Sequence, residues 1–469
     1  MLFNSLRFLF FYPLVTALYF LLPHRWRWAL LLGASSYFYM AFVPVYILIL
    51  AFTIVVNYGA GIATERASGP RRRALLVVSI VVNLGVLAFF KYYAFTNANL
   101  EALAQALHLR YPLPVLHILL PIGLSFHTFQ SMAYAVEVYR GNQTAERHLG
   151  IFALYVMFYP QLVAGPIERP QNLLPQLRAV HRFDEAQLTA GLRRMLWGFF
   201  KKVVIADRLA VLVNEVFGQL HFYSGASLIL AMVLFAFQVY CDFSGYSDIA
   251  IGSAQTMGFE LKTNFDRPYF ATSIADFWRR WHISLSTFFR DYVYIPMGGS
   301  RVSRVRVYRN LLITFALSGL WHGARWTFIV WGVLHGLFMI AGDLTARLRL
   351  PSLGGVGRLV SIVTTFALVT IAWVFFRATT VDDALSMIFR SFETTRGLAS
   401  AGRMLGRPSS ELVLALSAIV LLCAAEAFGK RFSFARVPAA ARFFAYALAA
   451  LAILDLGVVE DIPFIYFQF

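Results

Sequence analysis

A succession of apolar runs constrains this chain more than any other feature, several of them approaching the roughly 20 residues that cross a bilayer as a helix. They occupy 8–22, 28–42, 46–62, 74–90, 115–136, 148–163, 196–217, 228–251, 311–321 paired with 326–341, 360–376, 412–428 and 443–456. Of the 469 residues, 59% are hydrophobic and 14% charged. A water-soluble domain is nearer half apolar and a quarter charged. The pattern predicts an all-α polytopic membrane protein, one integral membrane domain over 1–469. It has about 11 transmembrane helices, plus re-entrant and interfacial helices. The first run has no small-residue cleavage site and leads at once into further spans, so it is expected to be a retained helix.

Charge orients the spans. The net charge is +17, and the Arg and Lys residues gather in the short connections between apolar runs. That distribution fits the positive-inside rule and anionic lipid headgroups, and no nucleic-acid motif is present. His24, Arg25 and Arg27 follow the first run, the turn at 43–45 is uncharged, and Arg66, Arg71, Arg72 and Arg73 follow the third. Alternation puts the N-terminus outside. It puts the basic stretches 137–147, 262–309, 347–358 and 430–442 in the cytoplasm.

The central region departs from plain spans. Run 196–217 contains Lys201, Lys202, Asp207 and Arg208. Run 311–321 is too short to cross the hydrocarbon, and Gly319 and Gly323 are expected to interrupt it. Broken helices at depth need protein or a water-filled cavity around them, which predicts a thinned, polar core ringed by ordinary helices. No internal repeat is visible, which weighs against an inverted-repeat transporter. Cys241 and Cys423 lie in apolar runs and read as small buried hydrophobes. There is no P-loop, nucleophile elbow, HExxH or dinucleotide fingerprint. PIGLS at 121–125 reads as a helix-breaking turn.

Ionisable groups at membrane depth are costly and mark function by default. Three stretches concentrate them. In SGLWHGARWTFIVWGVLHG (318–336), His322 lies between Trp321 and Gly323. A neutral imidazole there can take a proton from a hydroxyl, or can be a buried histidine satisfied by a carbonyl. His335, off the face of His322 on any continuous helix, reads as structural. In FWRRWHISLSTFFRDYVYIPMGGS (277–300), Arg279, Arg280, His282, Arg290 and Asp291 alternate with aromatic residues including Tyr294. The mixture suits an interfacial helix with snorkelling arginines, and equally a phosphate-bearing donor. In FQVYCDFSGYSDIAIG (237–252), Gln238, Asp242, Ser244, Ser247 and Asp248 close an apolar run. They are too few for a metal site. They can orient a histidine, bind an acceptor hydroxyl or cap the helix.

Taken with LPIGLSFHTFQSMAYAVEVYRG (120–141), YPQLVAGPIERP (159–170), IAWVFFRA (371–378) and PFIYFQF (463–469), these stretches resemble the membrane-bound O-acyltransferase (MBOAT) family, in its bacterial alginate O-acetyltransferase-like branch. The resemblance covers nearly the whole chain. It implies a helical membrane enzyme with a funnel or tunnel to a central histidine. That histidine corresponds to His322, and a second, in the FWRRWH motif, to His282. His127 departs from the pattern, where relatives usually carry an aromatic residue such as Tyr.

The same resemblance implies an O-acetyltransferase of the bacterial inner membrane. Its donor would be acetyl-CoA or another acyl thioester, with no permanently bound cofactor and no metal. The expected site comprises His322 as base, His282, and the binding residues Arg279, Arg280, Arg290, Asp291, Tyr294, Trp321, Gln238, Asp242 and Ser247. The expected partners are a periplasmic SGNH-type protein and a polysaccharide acceptor. Teichoic-acid D-alanylation, peptidoglycan O-acylation and, in another class, transport of a polymer or lipid-linked sugar are the alternatives.

Overall fold

The computed structural model describes residues 1–114, 116, 119–347, 354–393, 409–429, 437–457 and 464–467. The start of the 115–136 run, parts of the basic stretches 347–358 and 430–442, and residues 463, 468 and 469 of the C-terminal motif lie outside them. The described elements are all helical. Seven of them are long and apolar enough to cross a membrane: Pro44–Arg66, Gly69–Ala106, Ala226–Gln255, Trp326–Ala346, Gly354–Arg377, Ser410–Phe428 and Ala439–Leu456. Leu6–Leu21 is a shorter apolar helix of 16 residues. Fewer helices therefore qualify as spans than the about 11 expected from apolar runs alone. The outward faces are apolar. On Ala439–Leu456, Phe443, Phe444, Leu448, Leu451 and Leu454 are all exposed, as a lipid-facing helix requires.

Two expected runs come out differently. Run 148–163 is not a span but two interior helices, Leu149–Met157 and Tyr159–Leu162. The break falls at Phe158, whose ψ is 111°. Pro160 has no N–H to give to the Val156 carbonyl and its ring would clash with it in a continuous helix, and the freed Tyr159 amide donates to Ser35 Oγ at 3.0 Å. Run 311–321 is part of a longer helix, Arg304–His322, of 19 residues. Gly319 does not interrupt it.

The chain divides into two compact units, residues 1–195 with 249–262 and residues 196–248 with 263–469. In the first, Ile47–Arg66 and Gly69–Leu87 are joined by a buried amide network: Asn83 Nδ2 and Ser79 Oγ each donate to Asn57 Oδ1 at 2.8 Å. Such side-chain bonds substitute for water between membrane helices. The expected turn at 121–125 is present. Gly123 sits at φ +76° before the helix Leu124–Arg140, and a Cβ there would meet Leu162 O at 2.7 Å. His127 is buried on the first turn of that helix, and neither ring nitrogen has a hydrogen-bond partner among the described residues.

The second unit holds the histidines. Arg304–His322 and Trp326–Ala346 form a tight helical hairpin. A Cβ at Gly319 would lie 2.1 Å from Phe328 O, and one at Gly332 would lie 2.2 Å from Phe315 O. Both glycines are there so that two backbones can touch. Gly323 ends the first helix in extended backbone, where a Cβ would strike the Phe328 ring at 2.1 Å. In the same unit a π-helical turn, Phe200–Ala206, widens the helix and turns both Lys201 and Lys202 inward, toward Ala226–Gln255. Gly245 permits that approach: its Cβ would lie 2.8 Å from Gly198 O.

Candidate active site

His322 is the last residue of its helix and 3% exposed. Its ring is walled by Trp321, Trp331 and Phe376, with centroids at 4.9, 5.0 and 5.3 Å. His282 reaches the same aromatic cluster from another direction. The stretch 277–300 is not one interfacial helix but Ile274–Arg280, Ile283–Phe289 and the π turn Arg290–Tyr294. His282 links the first two at φ 40° and ψ 57°. Left-handed backbone at a non-glycine residue costs about 1–3 kcal/mol and persists only where the surroundings fix it. Here Asn264 fixes it. Its carbonyl accepts from Ile283 N at 2.9 Å, and its side-chain oxygen accepts from Ser284 N at 3.3 Å.

His282 is fully buried, 4.6 Å from Phe243 and 6.1 Å from Trp321 between ring centroids. Burial pushes its imidazole down to about 3, so it is neutral at physiological pH. The two histidine rings lie 6.5 Å apart, centroid to centroid. A ring nitrogen sits about 1.2 Å from its centroid, so the imidazoles are too far apart to bond directly and near enough to share one small polar group.

His335 joins the cluster from behind. The hairpin brings Trp331 against both His322 and His335, at 5.0 and 4.9 Å. His335 Nδ1 accepts from the Trp278 indole at 3.3 Å. That bond orients the ring.

A cavity of about 780 Å³ opens beside the pair. It is lined by Trp278, Arg279, Ser286, Arg290 and Tyr294 among others. Ile283, the residue after His282, and Ser318, one helical turn before His322, also line it. Arg290 pairs with Asp291 at 2.7 Å, and this bond raises its pKa above the ordinary guanidinium value. Arg280 is engaged elsewhere, donating to Asp276 at 2.9 Å. Burial works to raise the Asp276 carboxyl, but Arg280 and the Thr272 amide outweigh it and hold the pKa below its usual value.

Of the residues read from Ala226–Gln255, Gln238 and Asp242 are one helical turn apart and both buried. Ser247 lies about 180° around the helix from Gln238, so the structure does not bring it to their side. Asp242 is fully committed. One oxygen pairs with Lys202 Nζ at 2.7 Å, and the other accepts from Ile465 N at 2.7 Å. Lys202 also pairs with Asp207, and Lys201 with Asp248, each at 2.7 Å.

Two groups, one beside the histidines and one beside Asp242, are absent from the sequence-based set. Tyr466 packs 5.6 Å from His322 and 6.5 Å from His282, centroid to centroid. Lys202 anchors Asp242. The C-terminal motif and the charges in run 196–217 were the signals for them.

Residues 148–380 match the family model for the membrane-bound O-acyltransferase family, MBOAT. The chain is 42% identical over 397 residues to a protein of Azotobacter vinelandii named "Probable alginate O-acetylase AlgI", covering 84% of this chain and 78% of that one. It is 34% identical over 425 residues to a peptidoglycan O-acetyltransferase of Helicobacter pylori, covering 83% and 79%. A teichoic acid D-alanyltransferase of Streptococcus thermophilus is 29% identical over 241 residues, with 48% and 57% covered. Identity of this order over most of the chain, with two buried histidines whose rings lie 6.5 Å apart, leaves one assignment: the chain belongs to the membrane-bound O-acyltransferase family and is an integral-membrane acyltransferase.

Proposed function

We propose that the protein transfers an acetyl group from a thioester, acetyl-CoA, to a hydroxyl at the His282–His322 pocket. The observation that carries this reading is the convergence of two buried histidines, 6.5 Å apart, in one aromatic cluster, with Ile283 and Ser318 beside them lining the 780 Å³ cavity. His322 takes the proton from the acceptor hydroxyl. The oxygen attacks the thioester carbonyl, the C–S bond breaks, and the thiolate leaves with the proton that His322 held. His282, neutral and rigidly placed, positions the reacting group, and Trp321 walls the pocket.

The cavity admits the donor. Arg279 and Arg290 pair with its phosphates, Asp291 steers Arg290, and Tyr294 lines the passage. Gln238 is the acceptor-side candidate, its side-chain carbonyl buried without a hydrogen-bond partner among the described residues. Arg280 holds Asp276 instead, and Ser247 faces away, so neither is given a substrate contact.

The acetyl group is destined for an exported polysaccharide of the alginate kind, handed on through a periplasmic SGNH-type partner. The enzyme works in the bacterial inner membrane with its N-terminus outside. The identities to alginate O-acetylases across most of the chain favour this acceptor class over peptidoglycan or teichoic acid.

The test is purified protein in nanodiscs with radiolabelled acetyl-CoA, wild type against His322→Ala. CoA release and label transfer that need His322 are expected. Equal turnover by the two proteins would sink the assignment. Turnover only with an acyl-carrier thioester would replace the donor and keep the chemistry.

A further inference from the structure

The pairing of Asp242 with the C-terminal segment is not explained by the chemistry above. Two carboxylates, Asp207 and Asp242, share one ammonium, Lys202, in a buried setting. One positive charge does not neutralise two negative ones. The second stabiliser of Asp242 is the backbone N–H of Ile465, 2.7 Å away and far along the chain. A buried carboxylate left short of donors is expensive, so the Ile465 amide supplies a bond that Asp242 needs.

The docked segment is aromatic, and the helix that carries Asp242 presents the surface that receives it. Phe464 stacks on Tyr246 at 4.6 Å. Tyr466 packs on Phe243 at 4.6 Å. Tyr466 also meets His322 at 5.6 Å and His282 at 6.5 Å. Residue 465 is thus the fixed point between two aromatic contacts. A shift of the Ile465 amide moves Tyr466 against both histidines.

We infer that Asp242 and Lys202 are positioning residues for the transfer, holding the 464–466 segment by the Ile465 amide so that Tyr466 closes the histidine pocket. They touch neither donor nor acceptor. This assignment rests on the His282–His322 pocket being the site of transfer, and it adds the device that shapes one wall of it.

The experiment has two readouts. The first is hydrogen exchange of the C-terminal peptide in intact protein. The Ile465 amide is expected to be protected in wild type and to exchange faster in Asp242→Leu, which removes the acceptor. The second is kinetic. Asp242→Leu is expected to lower kcat on the order of 100-fold, the scale of a misplaced reacting group, with donor KM within about twofold. Asp242→Asn leaves a neutral Lys202–Asp207 pair and an acceptor, so it folds most readily and is expected to lose less.

A double-mutant cycle separates positioning from general stability. In a Tyr466→Ala background, Asp242→Leu is expected to add nothing further. Full additivity, a raised donor KM with kcat intact, or an Ile465 amide already unprotected in wild type would each overturn the assignment. His322→Ala with unaltered turnover would instead remove the site of transfer, while the exchange readout still judged the docking by itself.

Discussion

His282 is the residue where local cost and function meet. Its left-handed backbone is pinned by Asn264 on one side, and its ring is enclosed by Phe243 and Trp321 on the other. Asparagine tolerates left-handed backbone better than other non-glycine residues. His282→Asn is therefore expected to fold with a thermal midpoint near wild type and to lose roughly 100-fold or more of kcat. A midpoint collapse together with the activity would make His282 a packing residue. Tyr466→Phe keeps the ring and removes the hydroxyl, so wild-type kcat in that variant would limit Tyr466 to shaping the pocket. Both histidines were legible from the sequence, because a polar ring inside an apolar, glycine-flanked motif stands out. Tyr466 and Lys202 were not. Their roles arise from contacts across long sequence separations, as with Asp242 and Ile465.

At the scale of elements, the hairpin Arg304–His322 and Trp326–Ala346 decides where His322 points. Its two helices touch through Gly319 and Gly332, each with a carbonyl where a side chain would go. Overpacking of a tight interface costs about 1–3 kcal/mol or more. Gly319→Leu is expected to lower the thermal midpoint and to abolish transfer by moving His322 off Trp331. Gly342, on the same second helix, has nothing within 4 Å of its Cβ position. Gly342→Ala is expected to leave activity unchanged and stability equal or higher, since alanine favours a helix interior by about 1 kcal/mol over glycine. The reverse ranking of the two variants would refute the backbone-contact account. Apolarity alone misjudged this element, because its first two turns carry Arg304, Arg306 and Arg309 and drop out of any hydropathy count. Apolarity misjudged 148–163 in the opposite sense, since an interior helix pair is as apolar as a span.

At the scale of the whole molecule, charge and chemistry must agree on a side. On the proposed orientation the Arg- and Lys-rich stretch 262–309 lies on the cytoplasmic face, and that stretch supplies Arg279 and Arg290 to the cavity. CoA is polyanionic and does not cross a bilayer, so donor entry reports the orientation of the whole protein. Inside-out vesicles are expected to consume external acetyl-CoA, and right-side-out vesicles to consume none until permeabilised. Equal consumption by both sealed preparations, or consumption by the right-side-out one alone, would reverse the orientation drawn from charge. The same vesicles weigh the two arginines. Each charge-assisted contact to phosphate is worth about 1.5–3 kcal/mol, so removing one raises donor KM roughly 10- to 100-fold. Arg279→Gln and Arg290→Gln are expected to act mainly on KM, and more weakly at high salt, where phosphate attraction is already screened. An unchanged KM in both would leave the arginines to lipid headgroups and require another entrance for the donor.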